Sequence, residues 1–229
     1  MHDFPDLIEK ELIDRAGKLS TALLCDGMRE LGAAKSYCLD ATIKPICPSM
    51  KVVGTAATVE TNDGDNFPIH VATYAVPQDG YVMVVDGKGF KDRCYMGDLI
   101  MGAAQAAGYL GAVIDGYTRD RDGNIGLGFP VFSRGLMPAG PTKKGPGKIN
   151  EPIVCGGVEI TPGDLVVGDC DGVCIVPRRH LEQVLEKAEK KLAYEQERGK
   201  AIEAYRKAKV SGAPLPQLAP QWVLDMIIK

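Results

Sequence analysis

The stretch from Gly97 to Asp120 constrains this chain more than any other. Asp98 opens a run of small residues, Gly102-Ala103-Ala104 and Ala106-Ala107, and Gly108 closes it. That pattern predicts a closely packing helix stopped at a glycine. Leu110 to Ile114 follows as a short apolar strand, and beyond Asp115-Gly116 the chain delivers Arg119 and Asp120 in a loop. A helix followed by a strand returns the chain, which is expected to bring Asp98 close to Asp120. The helix start exposes unpaired N–H groups and partial positive charge, suited to a carboxylate. An Asp beside an Arg past a strand offers a hard oxygen ligand and a fixed cation. Each piece also has a plainer reading, with Asp98 as a helix cap and Arg119–Asp120 as a surface ion pair.

The 229 residues suit one large domain or a domain with an added arm. A formal net charge of -3 argues against a nucleic-acid partner. Lys143-Lys144 and Lys187 to Lys191 read as solvated basic spots. No apolar run is long enough for a bilayer, so no membrane is expected, and the acidic N-terminus lacks a signal-peptide core. The seven cysteines include no Cys-x-x-Cys pair, and Cys170 and Cys174 both look like strand positions. Mostly buried, reduced thiols and a cytoplasmic location are the natural reading. With only three histidines, a His- or Cys-based zinc site is disfavoured. Any metal should be hard and oxygen-bound, which points to Mg2+ or Mn2+.

Along the chain, apolar spacing predicts a helix over 6–19, and Ser20 or Thr21 caps a second through Leu31. Residues 35–50 read as irregular, 52–60 as a strand, 66–75 as a helix and 81–86 as a buried strand. Arg121-Asp122-Gly123-Asn124 reads as a turn, 129–133 as a strand and 138–150 as a loop. Residues 153–160 form a hairpin about Gly156-Gly157. Two strands, 165–168 and 172–176, surround Asp169-Cys170-Asp171. A long charged helix over 179–209, a Pro-rich linker and a short helix over 220–228 complete the chain. Strands alternate with helices in the middle and turn antiparallel later, which indicates a mixed α/β fold. Gly87-Lys88-Gly89-Phe90-Lys91-Asp92 lacks the last glycine of a dinucleotide loop, and Gly140 to Gly145 has Pro146 where a phosphate loop needs Lys.

Asp98, twenty intervening residues, then Arg119-Asp120 resembles the signature of the RraA-like family. Flanking stretches fall in family order: Gly54-Thr55-Ala56, Asp65-Asn66 with His70, Val84-Val85-Asp86-Gly87, Phe129-Pro130-Val131-Phe132, Pro162-Gly163-Asp164-Leu165-Val166 and Gly168-Asp169-Cys170-Asp171-Gly172-Val173. The similarity covers roughly residues 20–200. It implies a three-layer β/β/α swivelling-domain fold in an α/β chain, with N-terminal helices in a domain spanning 1–178 and a long helical arm over 179–229.

The family includes metal-dependent class II pyruvate aldolases acting on 4-hydroxy-4-methyl-2-oxoglutarate and 4-carboxy-4-hydroxy-2-oxoadipate. The resemblance therefore implies retro-aldol cleavage of a 4-hydroxy-2-oxo acid, with oxaloacetate decarboxylation through the same pyruvate enolate. Carried over residue by residue, Asp120 is the direct ligand of Mg2+ (or Mn2+) and Arg119 holds the enolate oxygen. Amides at Gly97, Asp98, Leu99, Ile100 and Met101 receive the substrate carboxylate. Asp98 positions the water that moves the C4-hydroxyl proton. Glu195 falls where the family carries an acid reaching a neighbouring subunit's metal site, in a homotrimer or homohexamer. A departure stands at Gly123, where family patterns place an acid. The family's namesakes suggest an alternative, a protein-binding regulator of a ribonuclease. A quinone methyltransferase, another label attached to such sequences, finds no glycine-rich cofactor loop here.

Overall fold

The computed structural model describes residues 2–32 and 37–227. Expectations that fall on Met1, Lys35 and Ile228 lie outside the described residues.

Two short helices come first, α1 (Lys10–Ala16) and α2 (Thr21–Glu30). There follow β1 (Lys44–Pro45), β2 (Val52–Glu60), α3 (Phe67–Ala75), β3 (Tyr81–Asp86), β4 (Cys94–Met96), α4 (Asp98–Ala107), β5 (Tyr109–Thr118), α5 (Arg121–Leu127) and β6 (Val131–Leu136). The second half carries β7 (Lys148–Ile149), the hairpin β8 (Ile153–Cys155) and β9 (Val158–Ile160), then β10 (Leu165–Asp169) and β11 (Gly172–Val176). A 3-10 turn at Arg178–His180 leads into α6 (Leu181–Ser211), and α7 (Gln221–Ile227) ends the description.

The main sheet runs β1-β6-β5-β3-β2-β10-β11. Its centre, β6-β5-β3-β2, is parallel, because helices α3, α4 and α5 carry the chain back between successive strands. Antiparallel β10 and β11 extend one side and β1 the other. The segment after residue 36 nearly closes the sheet. Ile175 N–H donates to Tyr37 O and Leu39 N–H to Val173 O on β11, while Ile46 N–H reaches Val131 O on β6.

Alternation along the strands sorts the core. Val82, Val84, Val113, Phe132, Val166 and Ile175 face inward onto Ile153, Cys155, Val158 and Ile160 of the hairpin. Tyr81, Met83, Val85, Ala112 and Ile114 face outward under Ile69 and Ala72 of α3 and Ile100, Met101 and Ala104 of α4. Leu165, Val167, Cys174 and Val176 are covered by α1, α2 and the first turns of α6. Gly27 sets that last crossing, since a Cβ there would lie 2.8 Å from Val184 O.

Several local expectations change. Residues 2–9 are not helical: Ile8 N–H donates to Thr55 Oγ1, and Arg178 captures the carbonyls of Asp6 and Leu7. Partners on β2 and in the 3-10 turn override the helical spacing there, so α1 starts at Lys10. Arg121 to Asn124 is not a free turn but the start of α5. Strand β5 continues four residues past Ile114, and β4 was not anticipated. Cys170 sits exposed in the β10–β11 turn, and only Cys94, Cys155 and Cys174 are fully buried. In α6 the buried stripe is confined to Leu181, Val184, Leu185 and Ala188. Among the described residues no helix is long and apolar enough to cross a membrane.

Candidate active site

The ends of β4 and β5 are locked together beside the start of α4. Arg119 N–H donates to Met96 O at 3.1 Å, and Thr118 Oγ1 donates to the same carbonyl at 2.7 Å. One residue after Met96, Gly97 caps α4, so the loop carrying Arg119 and Asp120 lies against the helix start. The approach depends on glycine: a Cβ at Gly97 would stand 2.3 Å from Asp120 Oδ2 and 3.1 Å from Arg119 Nε.

Asp120 is a non-glycine residue in the left-handed region, at φ 57° and ψ 47°, and precedes the first turn of α5. Asn124 stabilises this corner from within α5. Its backbone N–H donates to Asp120 O at 2.9 Å, and its buried Nδ2 donates to Arg119 O at 2.7 Å. Arg119 Nε faces Asp120 Oδ2 at 3.2 Å, with both side chains about two-fifths exposed. Asp98 lies under α5, since a Cβ at Gly123 would come within 2.6 Å of its Oδ2. An acid at position 123 would crowd and repel that carboxylate, so glycine there suits this arrangement.

These residues line one open cleft of about 220 Å3. Gly97, Asp98, Leu99, Ile100, Arg119 and Asp120 all border it. Met101 does not: its N–H makes the first helical bond, 3.1 Å to Gly97 O, and its side chain is in the core. The Leu99 amide is occupied by Asp98 Oδ1 at 2.7 Å. Glu195 is exposed on α6 and does not border the cleft of its own chain.

The cleft also contains residues to which the sequence assigned no role. Asn66, His70 and Tyr74 enter from α3 and its cap, and Lys143 from the loop before β7. Asp65 pins that loop, accepting from Thr142 Oγ1, Lys144 N–H and Gly145 N–H. Lys143 is exposed, as expected, and adds a cation to the lining of the cleft. Burial, with the charge of Lys143, holds the His70 imidazole below its ordinary range. Asn66 donates from Nδ2 to Tyr95 O, while its buried Oδ1 has no hydrogen-bond partner among the described residues. The motif Asp65-Asn66 with His70 was a detectable signal, whereas Lys143 had none beyond its charge.

The donor set suits a hard cation. The cleft offers the carboxylates of Asp120 and Asp98 and no thiol. Gly97 leaves the space into which Asp120 Oδ2 projects. Among the described residues, three potential ligand side chains converge elsewhere, at Asp169, Cys170 and Asp171. Asp169 is already committed there, accepting from Thr21 N–H, Thr21 Oγ1 and Asp171 N–H.

Residues 21–175 match the RraA-like family model, described as Aldolase/RraA. A protein of Halalkalibacterium halodurans, provisionally named 4-hydroxy-4-methyl-2-oxoglutarate aldolase, is 46% identical over 164 residues, covering 72% of this chain and 78% of that one. The crystal structure of an uncharacterised Pseudomonas syringae protein superposes with a TM-score of 0.71 at 30% identity, covering 92% of this chain and 97% of that one. Streptomyces coelicolor RraAS2, described as an unusual member of the RNase ES inhibitor RraA family, gives 0.72 at 28% identity, covering 86% and 98%.

Proposed function

The chain belongs to the RraA-like family, and from that premise we propose that it is a divalent-metal-dependent aldolase. It cleaves a 4-hydroxy-2-oxo acid, such as 4-hydroxy-4-methyl-2-oxoglutarate, to pyruvate. The observation that carries this reading is the meeting of Asp98, Arg119 and Asp120 in one cleft at the start of α4. The similarity to the Halalkalibacterium protein supports it.

Retro-aldol cleavage places negative charge on the former 2-oxo oxygen. Asp120, with Asp98 beside it, would hold Mg2+ or Mn2+, which when bound supplies Lewis-acid polarisation of that oxygen. Arg119 directs its fixed cation at the same developing charge. The substrate carboxylate docks at the α4 start, where the Ile100 N–H has no intrahelical acceptor. It displaces Asp98 Oδ1 from the Leu99 amide, which frees the Asp98 carboxylate. Asp98 then accepts, through a water, the proton of the C4 hydroxyl, and returns one to the methylene carbon of the pyruvate enolate. Lys143 and His70 line the same cleft and meet the distal part of the substrate. Oxaloacetate decarboxylation passes through the same enolate and is an expected side activity.

A second reading follows from the likeness to Streptomyces RraAS2: a regulator acting by protein contact. One assay separates the two. Purified protein is offered a panel of 4-hydroxy-2-oxo acids and oxaloacetate, with Mg2+ or with a chelator, and pyruvate is measured. Metal-dependent pyruvate release is the expected result. No release from any member of the panel would overturn the aldolase reading and leave the regulator.

A further inference from the structure

Three cysteines from distant parts of the chain meet at the β11 end of the sheet, against α2. Cys25 is on α2, Cys174 on β11, and Cys38 forms an isolated antiparallel bridge with Cys174. The flanking hydrogen bonds, Leu39 N–H to Val173 O and Ile175 N–H to Tyr37 O, make Cys38–Cys174 a non-hydrogen-bonded pair, the type that brings side chains closest. Cys25 Sγ lies 2.7 Å from Cys38 Sγ and 3.6 Å from Cys174 Sγ.

We propose that Cys25 and Cys38 are a thiol-oxidation site that closes a reversible disulfide in response to hydroperoxides. Exposure assigns the roles. Cys38 is exposed and borders a surface hollow of about 290 Å3 that admits a small oxidant. Cys25 borders the same hollow but is half-buried, and Cys174 is fully buried. The Cys38 thiolate attacks the peroxide, the O–O bond breaks, and Cys38 becomes a sulfenic acid as an alcohol or water leaves. Cys25 sulfur then attacks Cys38 sulfur, the S–O bond breaks, and the hydroxide departs with the Cys25 proton as water. Two thiols and one hydroperoxide thus give one disulfide, one alcohol (or water) and one water.

The two thiols beside Cys38 are both held protonated. Hydrogen bonds to Cys25 and Cys38, together with burial, hold the Cys174 thiol well above its ordinary range. The bond to Cys174 pulls Cys25 down, but its bond to Cys38 and its burial outweigh that and leave it at about 12. A metal centre is the rival use of three thiols. Thiolates sharing one zinc at about 2.3 Å keep their sulfurs roughly 3.8 Å apart, and the 2.7 Å pair lies well inside that distance.

The test uses the full chain. Reduced protein is treated with hydrogen peroxide, free thiols are blocked with N-ethylmaleimide, and the unreduced digest is mapped by mass spectrometry. The expected product is a Cys25–Cys38 crosslink, reversed by dithiothreitol, with the seven titratable thiols falling by two. In Cys25→Ser, dimedone should label Cys38, and in Cys38→Ser it should leave Cys25 unlabelled. Circular dichroism checks both folds, and the wild-type map stands without either variant. Persistence of all seven thiols, a crosslink confined to other cysteines, or stoichiometric zinc protecting the three would each overturn the proposal.

Discussion

A methyl group on Gly97 would stand 2.3 Å from Asp120 Oδ2, so the carboxylate keeps its place only while position 97 has no side chain. Gly97→Ala is therefore expected to lower pyruvate formation by ~10²-fold or more, the scale of a displaced catalytic group, with an unchanged circular dichroism spectrum. Asp120→Ala should abolish metal-supported turnover. Arg119→Lys keeps the charge but loses the planar fork and is expected to lose roughly 10²-fold in kcat. Near-normal turnover in all three would move the chemistry away from this corner. His70 gives a prediction independent of turnover. Its pKa is held below 6.5 by burial and by Lys143, so the neutral form is favoured in the native state. As pH falls through 6.5, the unfolded chain takes up the proton first, and this group's contribution to stability is lost on acidification. NMR titration should find the His70 midpoint depressed, moving upward in Lys143→Met. A His70 midpoint unaffected by that change would remove the charge from the account. At this scale Asp98, Arg119 and Asp120 were legible because two elements adjacent in sequence bring them together. Asn66, His70 and Lys143 join them only through the packing of α3 on α4 and the anchoring of a loop by Asp65, which no local spacing records.

Elements whose patterns were locally complete were read correctly. The cap of α2, which the structure gives to Ser20 rather than Thr21, the buried strand β3 and the stop at Gly108, at φ 110°, all stand as the residue types dictate. The misreadings arose where long-range partners decided the conformation. Helix α5 contains two glycines in seven residues, poor helix formers, and is held by Asn124 bonding back to Arg119 and Asp120. Residues 6–9 share the helical spacing of 6–19, yet their backbone is claimed by Thr55 and Arg178. The crossing of α2 and α6 is the element contact most open to test. Gly27 lets the helices meet with Val184 O only 2.8 Å from where a Cβ would sit. Gly27→Ala must push them apart and is expected to cost ~1–3 kcal/mol, as overpacked cores do. Denaturant unfolding would measure it, and an unchanged midpoint would mean the crossing tolerates a wider spacing.

For the whole molecule, the question is what the arm is for. Helix α6 has 31 residues, about 46 Å at 1.5 Å per residue, but only its first turns carry buried side chains. Beyond Leu192 it displays Glu195 among exposed residues, and Val210, Trp222, Met226 and Ile227 are exposed apolar groups further on. The cleft, for its part, has two carboxylates and is open. A cation held mainly by Asp120 would keep several waters, which a further carboxylate could orient. Both deficits are met if the arm of one chain reaches the cleft of another in a trimer or a hexamer of two trimers. Light scattering at micromolar protein should then give one of those masses, and a monomer would contradict the arrangement. The decisive experiment mixes Arg119→Ala with Glu195→Ala protein under conditions that exchange subunits. In some mixed interfaces the cleft of a Glu195→Ala chain, with Arg119 intact, faces an arm that still carries Glu195. Activity should reappear above the sum of the separate variants. Full activity in Glu195→Ala alone, or exchanged mixtures that gain nothing, would leave Glu195 as part of a solvated helix face and the active site complete within one chain.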